Sequence, residues 1–205
     1  MSASGNQDIQ ERLGRLQRIN IVQHLTLYYR QALAEKFLIV ATGGTFDELH
    51  IGHIALLAKA FRVGKKVIIG ISSDSFAANR GKQINHNFEV RIANLKNMIK
   101  KEFGNVNYEI AKLDGDFGPA VTTGDVEALV TSTETQSKGK LLNEMRAKIG
   151  VKPVKVITVE LVKAEDGSTI SSTRIRTGEI DRHGRRLLPG RSSKDPTPRM
   201  KAGER

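Results

Sequence analysis

The sequence predicts an α/β protein, a doubly wound parallel sheet of five strands with an N-terminal helical extension and a basic, disordered C-terminal tail. Three observations predict it. Short β-branched runs alternate with longer segments of helical apolar spacing. The first run ends in a glycine turn that feeds a helix. The polar residues that follow the strands all fall at one edge of the sheet those strands would form, the edge where such sheets bind ligands. At 205 residues, 39% of them hydrophobic, the chain has enough material for one domain with a core plus appendages. The limits that follow are a helical extension over 1–35, the domain over 36–180 and a flexible tail over 181–205.

Residues 1–7 are polar and read as disordered. Over 8–35, Ile9, Leu13, Leu16, Val22, Leu25, Tyr29 and Leu33 recur at three- and four-residue spacing, which predicts one or two amphipathic helices. That stripe needs a partner, either the domain itself or a second subunit, so the extension is a candidate homo-oligomer contact. Residues 37–41 (FLIVA) are too short and too β-branched for a buried helix, and Thr42-Gly43-Gly44 stops them at once, so they read as a central strand. Leu49, Ile54, Leu57 and Ala58 share a helical face that Lys59 and Arg62 avoid, which predicts a helix over 50–63. A second strand over 66–72 completes a right-handed parallel crossover. Residues 73–86 are polar, carry Arg80-Gly81-Lys82 and read as a mobile connection. Asn87 caps a helix over 88–103 with Val90, Leu95, Met98 and Ile99 inward. Strands follow over 107–113, 126–131 and 154–159, the last with 161–164 as an extension, and a helix spans 136–149. Asp166-Gly167 then turns the chain into a short helix opened by Ser171-Ser172-Thr173.

Composition excludes several classes. There is no Cys, hence no disulfide, thiolate catalysis or cysteine-based metal site, which fits a reducing cytoplasm. No apolar run approaches membrane-spanning length and the polar start is no signal peptide, so the expectation is a cytoplasmic protein without a membrane partner. The net charge is +11, but residues 182–205 hold eight Lys or Arg against Asp195 and Glu204, or +6 of that total. The remainder is only mildly basic, as a site for phosphorylated substrates would be. Aromatic residues are 5%, Trp is absent, and no basic-aromatic interleaving occurs, which argues against a nucleic-acid platform. A protein that binds RNA through its basic tail stands as the non-enzyme alternative.

Strand, glycine turn, helix is the form of a phosphate site. The glycines admit a ligand close to the backbone, and the first-turn N–H groups face an anion there. His50 and His53 are one helical turn apart, so both imidazoles can donate to oxygens of one phosphate. Read without context, such a pair is a surface or capping feature. As a zinc site it lacks a third ligand nearby, and no metal ligands are assigned. Arg91 falls in the first turn of the 88–103 helix, where a cation opposes the macrodipole, and its placement hints at an anionic ligand. Ser171, Ser172 and Thr173 offer hydroxyl and N–H groups at a second helix start.

The run Thr42-Gly43-Gly44-Thr45-Phe46-Asp47-Glu48-Leu49-His50-Ile51-Gly52-His53 resembles the T/HxGH signature of the nucleotidyltransferase superfamily, whose fold is Rossmann-like. With Ile170 to Arg176 (ISSTRIR), the pattern is most similar to archaeal-type phosphopantetheine adenylyltransferases. The resemblance covers residues 37–180. It implies reversible transfer of an adenylyl group from ATP to 4'-phosphopantetheine in coenzyme A biosynthesis, with Mg²⁺ carried on the nucleotide. It also implies roles. His50 and His53 act at the α-phosphate, with His53 contacting ATP, and Thr45 and Phe46 line the region that both substrates share. Lys82 and Arg91 receive the acceptor's phosphate, Ser171, Ser172 and Thr173 hold the β- and γ-phosphates, and Ser132, Thr133, Glu134 and Asn143, with Arg146, lie near the adenine. Relatives commonly carry an acidic pair where this chain has Thr133-Glu134. Adenylyl or cytidylyl transfer to FMN or a polyol phosphate is the alternative, because the phosphate machinery is shared and specificity lies in pockets.

Overall fold

The computed structural model describes residues 36–187, and the expected N-terminal helices and most of the basic tail lie outside them. The elements are β1 (Phe37–Gly44), α1 (Ile51–Val63), β2 (Gly64–Ser72), α2 (Asp74–Asn79), α3 (Phe88–Phe103), β3 (Tyr108–Leu113), α4 (Pro119–Thr122), β4 (Val126–Ser132), α5 (Ser137–Lys148), β5 (Lys155–Val159) and α6 (Ser172–Arg176). The sheet has five parallel strands in the order β3-β2-β1-β4-β5. The chain therefore winds outward from β1 in one direction, then restarts at β4 on the other side. All carboxyl ends lie along one edge, and the switch point falls between β1 and β4.

Both faces of the sheet are covered, so alternate residues of the central strands feed separate cores. Val67, Ile69 and Ile71 of β2 pack with Val40, Val130, Leu57 and Ala60 of α1, and Leu95 and Ile99 of α3. Ile68 joins Ala41, Leu129, Ala120 and Leu142 on the opposite face. That two-sided burial is why the strands read as continuous apolar runs in the sequence. A third cluster, Ala164, Ile170, Ile175 and Ile180, anchors the segment after β5. Hydrogen bonding carries the chain beyond residue 180: Leu187 donates to the Glu179 carbonyl at 3.0 Å and Ile51 to the Arg182 carbonyl at 3.1 Å.

Two segments differ from expectation. The polar stretch after β2 contains α2, because Ser73 Oγ accepts the Phe76 N–H at 3.2 Å and so caps a turn whose Ala77 is buried. Residues 161–164 do not extend β5; Lys163 instead forms an isolated antiparallel bridge with Thr169, folding the chain back toward α6.

Arg146, expected near the adenine, belongs to the scaffold. It is 0% exposed, and its guanidinium donates to the carbonyls of Ala120, Thr123, Val126 and Lys152, tying α4, β4 and the turn after α5 together. Asn143 is likewise engaged, its amide accepting from Val154 N at 2.8 Å and donating to Val154 O at 3.1 Å as a strand would. Replacing Arg146 with Ala leaves several buried carbonyls without donors, at roughly 1–3 kcal/mol each before relaxation and water entry. Urea denaturation should show a loss of about 2–4 kcal/mol; a loss below about 1 kcal/mol contradicts this account.

Candidate active site

A cavity of about 580 Å³ opens at the switch point, between the β1–α1 loop, the end of β4 and α6. The sequence-predicted residues Thr45, Phe46, His50, His53, Lys82, Ser132, Glu134, Ser171, Ser172 and Thr173 line it together, with Thr135, Gln83 and Arg176. Thr133 lies in the 3-10 turn Thr133–Thr135 and is not part of the lining.

The two histidines form a reciprocal cap on α1. The Gly52 N–H donates to His50 Nδ1 at 3.1 Å, and the His50 N–H donates to His53 Nδ1 at 3.3 Å. A ring nitrogen that accepts is unprotonated, so in each neutral imidazole the proton sits on Nε2. Burial pushes the His50 imidazole down to about 4, and burial, followed by the neighbouring His50 and Lys82, pushes His53 well below its ordinary value. Both are therefore neutral Nε2–H donors near pH 7. The rings lie 3.9 Å apart between centroids, a spacing that two imidazolium ions would oppose. Gly52 is required by the same contact, since a Cβ there would stand 2.9 Å from Cε1 and Nδ1 of His50.

This corrects one expectation. The first-turn N–H groups of α1 do not face a ligand: Ile51 donates to Arg182 O, Gly52 to His50 Nδ1 and His53 to His50 O. The positive end of the helix reaches the cavity through the imidazoles instead. Beside them Phe46 holds φ 52°, a left-handed conformation that turns its ring into the core, 5.0 Å from the His53 centroid. Asp47 braces the loop, accepting from Asn85 N, His86 N and His86 Nδ1 at 2.9–3.0 Å, and Arg176 lies 3.6 Å from it. Asp47, Glu48 and His86 approach one another closely enough to resemble a metal site, but Asp47 and Glu48 already accept from Asn85 and His86, the work of a brace.

Arg91 is displaced from its expected role. It is 0% exposed and donates to the carbonyls of Thr45, Ser72 and His86 and to Asp74 Oδ1. The anion that its placement hinted at is the protein's own, and Arg91 acts on the cavity only by fixing the Thr45 backbone. Its hydrogen bond to Asp74 also holds that carboxyl below the ordinary range. Lys82, by contrast, does enter the cavity, with Nζ 3.2 Å from Thr45 Oγ1. Its pKa is lowered, mainly by burial and then by Arg80 and Lys138, against the pull of Glu134.

On the opposite wall the hydroxyls of α6 serve the fold. Ser171 Oγ accepts from Arg174 N at 3.3 Å, and Ser172 Oγ donates to Glu48 O at 3.1 Å. Ser172 and Thr173, whose N–H groups open α6 and lie outside that cap, both line the cavity. Arg176, to which the motif alone assigns no role, donates to Gln83 O at 2.8 Å and Thr173 Oγ1 at 3.2 Å. The available signal was its spacing, three residues after Thr173 and so on the same helix face. A second lobe of about 440 Å³ shares Gly43, Gly44, Thr45, Lys82 and Thr131 with the first and has apolar walls from Phe76, Leu113, Phe117 and Leu129.

A cytidylyltransferase-like family model matches residues 41–178. The chain is similar to the phosphopantetheine adenylyltransferase of Methanothermobacter thermautotrophicus, at 43% identity over 152 residues, 74% of this chain and 91% of the relative. It is also similar to that of Thermococcus kodakarensis, at 40% identity over 166 residues, 80% of this chain and 99% of the relative. A solved Archaeoglobus fulgidus protein of unknown function superposes with a TM-score of 0.55 and 32% identity, over 60% of this chain and 89% of that one.

The lowered His50 pKa has a stability consequence with a definite sign. As pH falls below the ordinary 6.5, the unfolded chain takes up a proton that the folded one refuses until about 4. The stability that the neutral ring contributes is complete above pH 6.5 and declines between 6.5 and 4. Urea midpoints of the parent should fall over that window more steeply than those of His50→Gln, which has no proton to gain there; parallel profiles contradict a depressed His50.

Proposed function

The chain belongs to the phosphopantetheine adenylyltransferases, within the cytidylyltransferase-like family, and from that membership we propose that it transfers the adenylyl group of ATP to 4'-phosphopantetheine, giving dephospho-coenzyme A and pyrophosphate. The observation that carries the reading is the facing, across one cavity, of two imidazoles fixed as neutral Nε2–H donors and the N–H groups that open α6. One set suits the α-phosphate, the other the β- and γ-phosphates.

The chemistry asks for little else. A phosphate monoester has a second pKa of about 6, so the acceptor oxygen is already anionic near neutrality and needs no general base. That oxygen forms a bond to the α-phosphorus while the bond from the α-phosphorus to the α–β bridging oxygen breaks, its electron pair leaving with pyrophosphate. His50 and His53 donate to the α-phosphate oxygens, where charge builds, without carrying charge of their own that would need solvation. Lys82 and Thr45 receive the acceptor's phosphate at the polar side of the second lobe, and the apolar walls of that lobe take its uncharged arm. Phe46 backs His53. Arg176 joins Thr173 on the triphosphate side, and Ser132, Glu134 and Thr135 border the space for the base. Mg²⁺ carried with ATP supplies charge neutralisation on the phosphates and needs few protein ligands, which accords with a cavity lined chiefly by donors and neutral groups. The reading also places the protein in the cytoplasm, where its cysteine-free composition is at home.

Pyrophosphate release from ATP and Mg²⁺ should require 4'-phosphopantetheine and be negligible with FMN or glycerol 3-phosphate. Turnover with either of the latter, and none with phosphopantetheine, overturns the acceptor assignment.

A further inference from the structure

In the acceptor lobe, close to Lys82, loops from three different strands meet at one carboxylate. Asp116, in the loop after β3, accepts at Oδ1 from Arg80, which ends α2, and from Lys138, in the first turn of α5, at 2.9 Å. All three line the lobe. β3 and β4 are separated in the sheet by β2 and β1, so this contact spans the lobe's width. Gly139 permits it from one side: a Cβ there would stand 2.5 Å from Val156, so its absence lets the first turn of α5 lie down on β5. Arg80 is further held over the Phe76 ring, 5.6 Å from its centroid. The two cations lie close enough to Lys82 to lower its pKa.

We propose that Asp116 is a placeholder anion, holding Arg80 and Lys138 across the acceptor lobe in the free protein and ceding them to the dianionic phosphate of the incoming acceptor. The inference rests on the acceptor reading above. The side chains are 34–40% exposed, so the pairs are of the weak, solvent-screened kind that a ligand can exchange. A carboxylate carries one charge where a monoester dianion carries about two, so the exchange favours the ligand. The cations are already ordered before it arrives, which reduces the side-chain entropy lost on binding. Asp116 thus keeps the cluster from repelling itself in the empty lobe, and it competes with the substrate for the same donors.

A brace and a placeholder differ in the sign of one effect. If the triad merely braces the loops, removing any member weakens acceptor binding. If Asp116 is a placeholder, Asp116→Asn binds the phosphate ligand more tightly while Arg80→Ala and Lys138→Ala bind it less tightly. Exposed pairs of this kind are worth about 0.2–1 kcal/mol, so each change should be about 1.4- to 5-fold in Kd, largest at low salt. Calorimetric titration of the full chain and the three variants, each verified as folded by thermal melting, reads the result. The probes are 4'-phosphopantetheine and, separately, inorganic phosphate. The phosphate arm does not depend on the acceptor's identity, so it reads the placeholder even if turnover with phosphopantetheine is absent. Opposite signs for Asp116→Asn and the two cation variants support the proposal. A shared weakening, or no change in Kd with any variant, overturns it.

Discussion

The cap on α1 is the constraint on which the site depends. A helix start leaves N–H groups that need acceptors, and here two of those acceptors are imidazole nitrogens. Satisfying the backbone therefore fixes the tautomer, and fixing the tautomer turns the Nε2–H of each ring into the outward donor. Burial then keeps the rings neutral. The spacing His50-x-Gly52-His53 follows from this arrangement: one turn between the rings for the reciprocal bonds, and no Cβ between them. Phe46 at positive φ, and Asp47 bonded to the 85–86 backbone, hold the preceding loop so that the cap has a fixed floor. A neutral donor held in place suits a phosphorus centre whose charge must be stabilised without being titrated.

Arg91 and Arg146 solve a related problem elsewhere in the domain. Connections at both ends of the sheet are irregular, and irregular buried backbone leaves carbonyls without partners. Each arginine gathers three or four such groups with one guanidinium. Arg91 holds the β1–α1 loop to the end of β2, and Arg146 holds the region around α4 to β4. Arg91 thereby fixes a cavity loop from outside the cavity lining, whereas Arg146 acts at the amino ends of β4 and β5. A lysine in either place would supply charge without the planar fork that serves several carbonyls at once.

Much of this was legible in the sequence. The alternation of β-branched runs with helical periodicity specified the parallel sheet, and the cap residues Asn87 and Ser171 marked helix starts where the structure has them. The first histidine and the 171–173 segment could be placed at one edge because each follows a strand, whereas Lys82 and Thr45 were reached only through the family resemblance. What escaped was the direction in which side chains turn. Arg91 and Arg176 are both arginines near helix ends, yet one is buried among carbonyls and the other lines the cavity. Linear spacing does not distinguish those outcomes, because the acceptors of Arg91 come from Thr45, Ser72 and His86, which only the fold assembles. Helix α2 was hidden for another reason, since a six-residue helix has too few turns to display a period.

The central claim is that the imidazoles act as neutral Nε2–H donors because their Nδ1 atoms cap α1. Nitrogen-15 NMR of the histidine rings at pH 7, before and after addition of a non-hydrolysable ATP analogue, tests it directly. The account predicts that His50 and His53 show a protonated Nε2 and a bare Nδ1 in the free protein, and that the Nε2 resonances shift when the analogue binds. A protonated Nδ1 on either ring of the free protein, or Nε2 resonances indifferent to the analogue, would contradict it.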